Sequence, residues 1–254
     1  MEASTDAHGP PAIECTDLTK YYGDFVALGG VTFSVAPCRV AAFLGPNGAG
    51  KSTTMRILTG YLAPSAGTIR VLGLDPTKEE QRLALARRLG YLPENGPLYR
   101  EMTPYESLQF FGEVRRMRPA EVGKAIERVV EACALGPVLH KPIYKLSKGY
   151  RQRVGMAQAI LHDPDVLILD EPTSGLDPLQ IREVRGLIRK LGEEKTILLS
   201  THILQEVAAV ADDVIVVHEG RVVFSGTRDA FARDGDLDRR FYELTAAQGA
   251  KEVA

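Results

Sequence analysis

The chain has no tryptophan and only three cysteines, Cys15, Cys38 and Cys133, scattered through its 254 residues. An odd number of distant cysteines fits neither a disulfide framework nor a zinc site, so reduced thiols are expected. No apolar run approaches the roughly 18 residues needed to cross a bilayer. The longest, around Val40–Leu44 and Val166–Leu169, are the size of strands. The opening residues, MEASTDAHGPPA, have neither a basic start nor an apolar stretch, so no signal peptide is expected. An excess of either charge is missing as well. The 31 Lys and Arg nearly cancel the 33 Asp and Glu, for a formal net charge of -2. Proteins that grip nucleic-acid phosphates usually carry a basic excess, which disfavours that role. No internal repeat or low-complexity block is present. What is there is ordinary for a soluble globular protein: 44% hydrophobic and 25% charged residues. The length allows one large domain or two small ones, with a core that needs no staples.

The pattern along the chain is mixed α/β. Residues 1–12 are small, polar and proline-ended and read as a flexible tail. Ile13–Leu18, Val31–Val35 and Val40–Leu44 read as strands, the last one apolar throughout as a buried central strand should be. A glycine-rich turn and a helix over Lys51–Tyr61 follow, then a strand at Gly67–Gly73 and a helix at Gln81–Leu89. Residues 103–135 turn helical, with Leu108, Phe111, Val114, Val122, Ile126, Val129 and Val130 at helical spacing and Pro104 and Pro119 at first-turn positions. A third helix is expected from Lys148 to Leu161, completing a helical subdomain at about 95–162 inserted in an α/β core. Strands at Val166–Leu169 and Thr196–Ser200 resume the core. Between them Asp177-Pro178 opens a helix whose face carries Val184, Leu187, Ile188 and Leu191. A hairpin at Val214–Val217 and Val222–Phe224 ends a domain spanning 13–230. Leu237, Phe241 and Leu244 mark an amphipathic helix in a C-terminal tail, 231–254.

Two segments carry chemistry. Gly45, Pro46, Asn47, Gly48, Ala49, Gly50, Lys51 and Ser52 match the P-loop pattern, between a strand and a helix as that pattern requires. The glycines let successive backbone N–H groups turn toward phosphates, and the helix N-terminus adds its positive end. Lys51 brings a charge to the β- and γ-phosphates, the Ser52 hydroxyl can ligate Mg2+, and Thr53 follows in the same helix. The apolar run 166–169 then delivers Asp170 and Glu171 at a strand's C-terminal end, where ligands sit in open α/β sheets. Asp170 would hold Mg2+ through water and Glu171 would act as general base on the attacking water. The plainer alternative is an acidic pair capping a helix, since Pro172 follows.

With these motifs the chain resembles the ATP-binding subunits of ATP-binding cassette (ABC) transporters. Leu146-Ser147-Lys148-Gly149-Tyr150-Arg151-Gln152 is similar to that family's signature, Ser174-Gly175-Leu176-Asp177 to its D-loop and Ser200-Thr201-His202 to its switch histidine. Tyr22 stands where the family stacks an aromatic on adenine, and Tyr91-Leu92-Pro93-Glu94 where it places its Q-loop. The resemblance covers roughly residues 13–226. It implies a P-loop NTPase (RecA-like) core with an antiparallel β subdomain and an inserted α-helical subdomain. It also implies ATP and Mg2+ as cofactors, with Ser52, Asp170 and Glu94 toward the metal and Lys51, Glu171 and His202 in catalysis. Two cassettes, either two copies or one and a paralogue, would meet head to tail, with Ser147, Gly149 and Asp177 reaching the partner's nucleotide. Tyr22 could instead pack on the sheet, and His202 could be a helix-cap neighbour.

Two departures stand out. Lys148 and Tyr150 replace a glycine and a glutamine of the usual signature, and Glu94 replaces the Q-loop glutamine. Both variants resemble the ABC-2-type exporter branch of gliding-motility and multidrug systems. A cassette without membrane spans implies integral-membrane permease subunits as separate partners and a place on the cytoplasmic face of the cell membrane. The alternative is a soluble ABC ATPase acting on nucleic acid or ribosomes. Such proteins usually pair two cassettes in one chain or split one with a coiled coil, and this chain does neither. A P-loop GTPase or small-molecule kinase fits less well, because the guanine-reading Asn-Lys-x-Asp motif is absent.

Overall fold

The structure, a computed structural model, describes residues 9–232 and 236–249. Residues 1–8 of the expected tail, and 233–235 and 250–254 of the C-terminal one, lie outside the described residues. The end of the N-terminal stretch joins the fold. Ala12 is buried, its N–H donates to Val35 O and its carbonyl accepts from Leu72 N–H.

Two sheets make the frame. Strands β1 (Ile13–Tyr22), β2 (Phe25–Val35) and β4 (Ala66–Val71) form an antiparallel sheet in the order β2-β1-β4. The larger sheet has the order β5-β6-β7-β3-β8-β9, from β3 (Val40–Leu44), β5 (Leu89–Leu92), β6 (Val166–Asp170), β7 (Thr196–Thr201), β8 (Asp213–His218) and β9 (Arg221–Thr227). The β5-to-β8 pairings are parallel, and β9 pairs antiparallel with β8 as the expected hairpin. Alternation along β3 shows why its five residues are all apolar. Val40, Ala42 and Leu44 enter one core, and Ala41 and Phe43 enter another on the opposite face.

Helices cover both faces. The core between the two sheets takes Met55, Ile57 and Leu58 of α1 (Lys51–Leu58) and Leu85 of α2 (Glu79–Ala86). The other core takes the buried faces of α3 (Pro104–Val114), α4 (Pro119–Ala132), α5 (Lys148–Ile160) and α6 (Pro178–Gly192). It also takes Val207 and Val210 of α7 (Leu204–Val210) and Phe231 of α8 (Arg228–Phe231). Leu237, Phe241 and Leu244 of α9 (Leu237–Gly249) pack on this second core, as their spacing implied. α3, α4 and α5 pack on one another beside the sheet. Pro104 follows Thr103, whose hydroxyl accepts from Glu106 N–H while Glu106 accepts from Thr103 N–H, a reciprocal cap.

Several boundaries differ from the sequence expectation. α1 stops at Leu58 rather than Tyr61. Gly60 turns left-handed (φ 72°), Gly60 N–H bonds Ile57 O and Tyr61 N–H bonds Arg56 O, a Schellman ending. The helix expected to reach Leu89 ends at Ala86, and Leu89 opens an unforeseen strand, β5. Gly90 permits that strand, because a Cβ there would stand 2.2 Å from Ala159 O. β1 and β2 run to a hairpin at Gly23 (φ 58°), longer than the apolar segments alone suggested. α7 was not expected, and Val114, counted on the buried face of α3, is exposed. Cys15 and Cys133 are buried, Cys38 is exposed, and all three are free. Burial pushes the Cys133 thiol up to about 12, so it stays protonated at neutral pH.

One buried group ties stability to pH. His162 follows α5, with Nε2 3.1 Å from Leu89 O and a buried Nδ1 that has no hydrogen-bond partner among the described residues. Nε2–H donates to that carbonyl in the neutral ring. Burial first, and then Arg115, lowers its pKa from 6.5 to about 4. The unfolded chain therefore takes up this proton near pH 6.5 and the folded chain only near 4. The stabilisation is whole above 6.5, falls as pH drops through that window, and levels off below it. His162→Gln is expected to remove a loss of at most about 2 kcal/mol between pH 7 and pH 5. Urea unfolding at the two pH values checks this, and equal pH sensitivity of the two proteins would contradict it.

Candidate nucleotide site

The end of β3 turns into the P-loop because each glycine meets a separate demand. A Cβ on Gly45 would lie 2.3 Å from Val217 O, while Gly48 and Gly50 adopt φ of 82° and 98°. α1 starts directly after Gly50, so its first N–H groups open toward the loop. Lys51 is buried and folds back over the loop. Its Nζ lies 2.8 Å from Gly45 O, 3.1 Å from Pro46 O and 3.4 Å from Glu171 Oε1.

β6 brings the acidic pair to the same place. Asp170 Oδ1 accepts from Ser52 Oγ at 3.2 Å and from Ser200 Oγ at 2.5 Å. Glu171, one residue on, has φ 49°, a left-handed backbone that is costly for a side chain of this size. Its N–H is held by Ser200 Oγ at 3.0 Å. That turn aims its carboxylate at His202, with Nδ1 3.1 Å from Oε1 and 3.0 Å from Oε2. A lysine, a carboxylate and an imidazole thus stand in one row, with only His202 substantially open to solvent.

These groups form the floor of a cleft of about 560 Å³. Of the residues singled out from the sequence, Tyr22, Asn47, Gly48, Gly50, Lys51, Ser52, Thr53, Glu94, Glu171 and His202 line it. Gly45, Pro46 and Ala49 do not line it but belong to the loop beneath, and Asp170 lies behind Ser52. Ser147, Gly149 and Asp177 do not line this cleft. Ser147 caps α5 by accepting from Tyr150 N–H, and Asp177 caps α6 by accepting from Gln180 N–H. The two helix starts abut, since a Cβ on Gly149 would stand 2.3 Å from Gln180 Oε1.

Phe25 and Ala27 also line the site and were not singled out from sequence, while Ser174 and Ser200, quoted there within motifs, were given no role of their own. Phe25 had a signal: it pairs with Tyr22 across the hairpin and is exposed, as an aromatic with no core role would be. Tyr22 is itself exposed, with Lys20 Nζ 5.5 Å from its ring centroid, rather than packed on the sheet. Stacking on a base contributes about 1–3 kcal/mol, so if the exposed Tyr22 ring takes the adenine, Tyr22→Ala is expected to weaken ATP binding roughly tenfold and Tyr22→Phe to spare it. Equilibrium titration with a fluorescent ATP analogue checks this, and an unchanged affinity for the alanine variant would contradict it.

Magnesium fits the donor set. A hydroxyl and a carboxylate supply hard oxygens, and a metal of this type completes its shell with water and phosphate. Among the described residues no group of three His, Cys, Asp or Glu could hold a metal without such added ligands.

The chain as a whole is similar to known proteins. A family profile described as "ABC transporter" matches residues 28–174. An uncharacterized ABC transporter ATP-binding protein of Methanocaldococcus jannaschii is 37% identical over 224 residues, 88% of this chain and 80% of its own. The bacitracin transport ATP-binding protein of Bacillus licheniformis is 38% identical over 213 residues, 83% of this chain and 68% of its own. A solved structure described as the ATP binding subunit of an ABC transporter superposes with a TM-score of 0.81 at 32% identity, covering 92% of this chain and 99% of that one.

Proposed function

Since the chain belongs to the ATP-binding subunits of ABC transporters, a family of ATPases, we propose that it hydrolyses ATP in the cleft between the P-loop and the end of β6, with Glu171 as general base. The observation that carries this is the Lys51–Glu171–His202 row at the foot of the P-loop. Lys51 and the backbone N–H groups of the loop hold the β- and γ-phosphates. Ser52 and Asp170 would hold Mg2+, which supplies charge neutralisation at the phosphates, and Glu94 on the cleft wall is a third oxygen donor toward it in this reading. Glu171 takes the proton of the attacking water, and His202 Nδ1 fixes the carboxylate, which leaves the other ring nitrogen to contact the γ-phosphate. Tyr22 stacks on adenine, with Phe25 beside it.

Ser147, Gly149 and Asp177 stand apart from this cleft at two abutting helix starts. We infer that they complete the cleft of a second copy of the chain, set head to tail so that ATP joins the two. The exposure of Ser147 and Asp177 supports this, as does the anion preference of helix N-termini. The domain division, 13–230 with a helical subdomain at about 95–162, goes with this reading. Glu94 also lines a neighbouring cavity with Phe111, Gln152 and Gln158 of the helical lobe. That position suits a residue that reports the nucleotide to integral-membrane subunits docked on the lobe at the cytoplasmic face. No helix among the described residues is long and apolar enough to cross a membrane. The Glu94, Lys148 and Tyr150 variants favour an ABC-2-type exporter. The relatives compared above are named as ATP-binding proteins of transporters, which supports this reading over action on nucleic acid.

A mixing experiment tests the shared site. Lys51→Ala removes the phosphate contact of a copy's own cleft, and Ser147→Arg blocks the contact made to its partner's. Each variant alone is expected to be inactive, and a mixture of the two is expected to regain ATPase activity in the one intact composite cleft. A mixture as inactive as its components would argue against the head-to-tail pairing.

A further inference from the structure

Glu206, in the first turn of α7, is 2% exposed and carries a carboxylate that neither phosphate binding nor water activation uses. Its two oxygens face two different loops. Oε2 accepts from Thr201 Oγ1 at 2.5 Å, and Oε1 accepts from Thr173 Oγ1. Both threonines are buried. Thr173 lies two residues beyond Glu171, in a turn closed by Ser174 N–H on Glu171 O. Thr201 immediately precedes His202, takes Ile203 N–H on the same hydroxyl, and gives its carbonyl to Gly45 N–H at the start of the P-loop.

We propose that Glu206 is a positioning residue, a clasp that holds the segment carrying Glu171 against the segment carrying His202; this rests on the catalytic reading given above. Three features support it. The backbone at Glu171 is left-handed, a costly conformation that persists only where the surroundings hold it, and a tie on the following turn adds to the hold of Ser200. The contact being restrained is short, with both Glu171 oxygens within 3.1 Å of His202 Nδ1. Burying a carboxylate is costly, and the carboxyl is held above its usual range, by burial first, while the Thr201 hydroxyl and the cation of Arg185 on α6 oppose that. A group retained at that cost, and bonded to both loops, fits fastening the loops better than filling space. Two hydroxyls donating to one carboxylate also set a distance between the loops that an apolar pair would leave loose.

The clasp acts on geometry and not on nucleotide contact, which separates it from a general packing role. In the purified chain with Mg-ATP, Glu206→Ala is expected to lower kcat at least tenfold while KM and the equilibrium affinity for ATP stay within about twofold. Glu206→Gln can still accept from one threonine and donate to the other, and is expected to recover most of the lost rate. Should Glu206→Ala fail to fold, Thr173 gives the same test. Thr173→Val is expected to lower kcat several-fold, and Thr173→Ser, which keeps the hydroxyl, to restore it. The clasp is overturned by an unchanged kcat in Glu206→Ala or Thr173→Val, by a loss of ATP affinity in step with kcat, or by failure of both conservative variants to recover rate. Glu171→Gln is measured alongside. If that variant keeps its rate, the catalytic reading itself fails and the clasp with it. If it is inactive while Glu206→Ala is normal, the clasp alone fails.

Discussion

Glu171→Gln is expected to lower the rate of ATP hydrolysis by about 10²–10⁴-fold, the range a positioned general base contributes, with ATP affinity nearly unchanged. The substitution keeps the shape of the side chain, so the contact to His202 Nδ1 at 3.0 Å can persist. What disappears is the capacity to take a proton from water, and with it the negative partner that Lys51 has at 3.4 Å. Affinity is spared because the proposed contacts to ATP are those of the loop, of Lys51 and of the aromatic pair Tyr22 and Phe25, none of which changes. Phosphate release under single turnover, with nucleotide binding measured in parallel, checks the separation of the two effects. A variant that hydrolyses ATP at the original rate would remove Glu171 from the role of base.

Lys51→Ala acts on the other half of the same row, and here affinity is expected to fall by about 10–100-fold or more. Lys51 is the only Lys or Arg among the described residues lining the cleft. In water a single charge near a triphosphate would be screened, but Lys51 is 6% exposed, and in that setting its interaction is much stronger. The variant also leaves Glu171, 8% exposed, beside His202 without its buried cation. Some loss of folding stability is therefore expected as well, because an uncompensated buried carboxylate is costly. Titration with a fluorescent ATP analogue reads the affinity, and thermal unfolding without nucleotide reads the stability. An unaltered affinity would place the phosphates elsewhere.

Much of this site was legible in the sequence because its chemistry is local. A P-loop is continuous in the chain, and the glycines at 45, 48 and 50 are demanded by close approach or by positive φ wherever that loop occurs. The acidic pair was legible because the strand before it is apolar at every position, and a strand buried on both faces must be. The helices at Pro104, Pro119 and Pro178 were legible from their caps and first-turn prolines. What stayed hidden depended on partners distant in the chain. β5 is four residues long and is a strand only because it pairs with β6 and because Gly90 lets α5 approach. Ser200 supports both acids across a sheet, which no spacing reveals. Glu206 looks like any polar residue of an exposed helix turn until Thr173 and Thr201 are brought to it. Asp177 was picked out correctly as the cap of its helix and Ser147 only as part of a motif, while the place of both in a shared cleft comes from resemblance, since one chain offers them no nucleotide.

The head-to-tail pairing around ATP is itself proposed, and the molar mass of Glu171→Gln in solution tests it most directly. Light scattering during gel filtration, with and without saturating Mg-ATP, gives that mass. The expected result is a monomer without nucleotide and a species of twice the mass with Mg-ATP, which reverts when the metal is chelated. A single species of monomer mass at nucleotide concentrations that fill the cleft would contradict it.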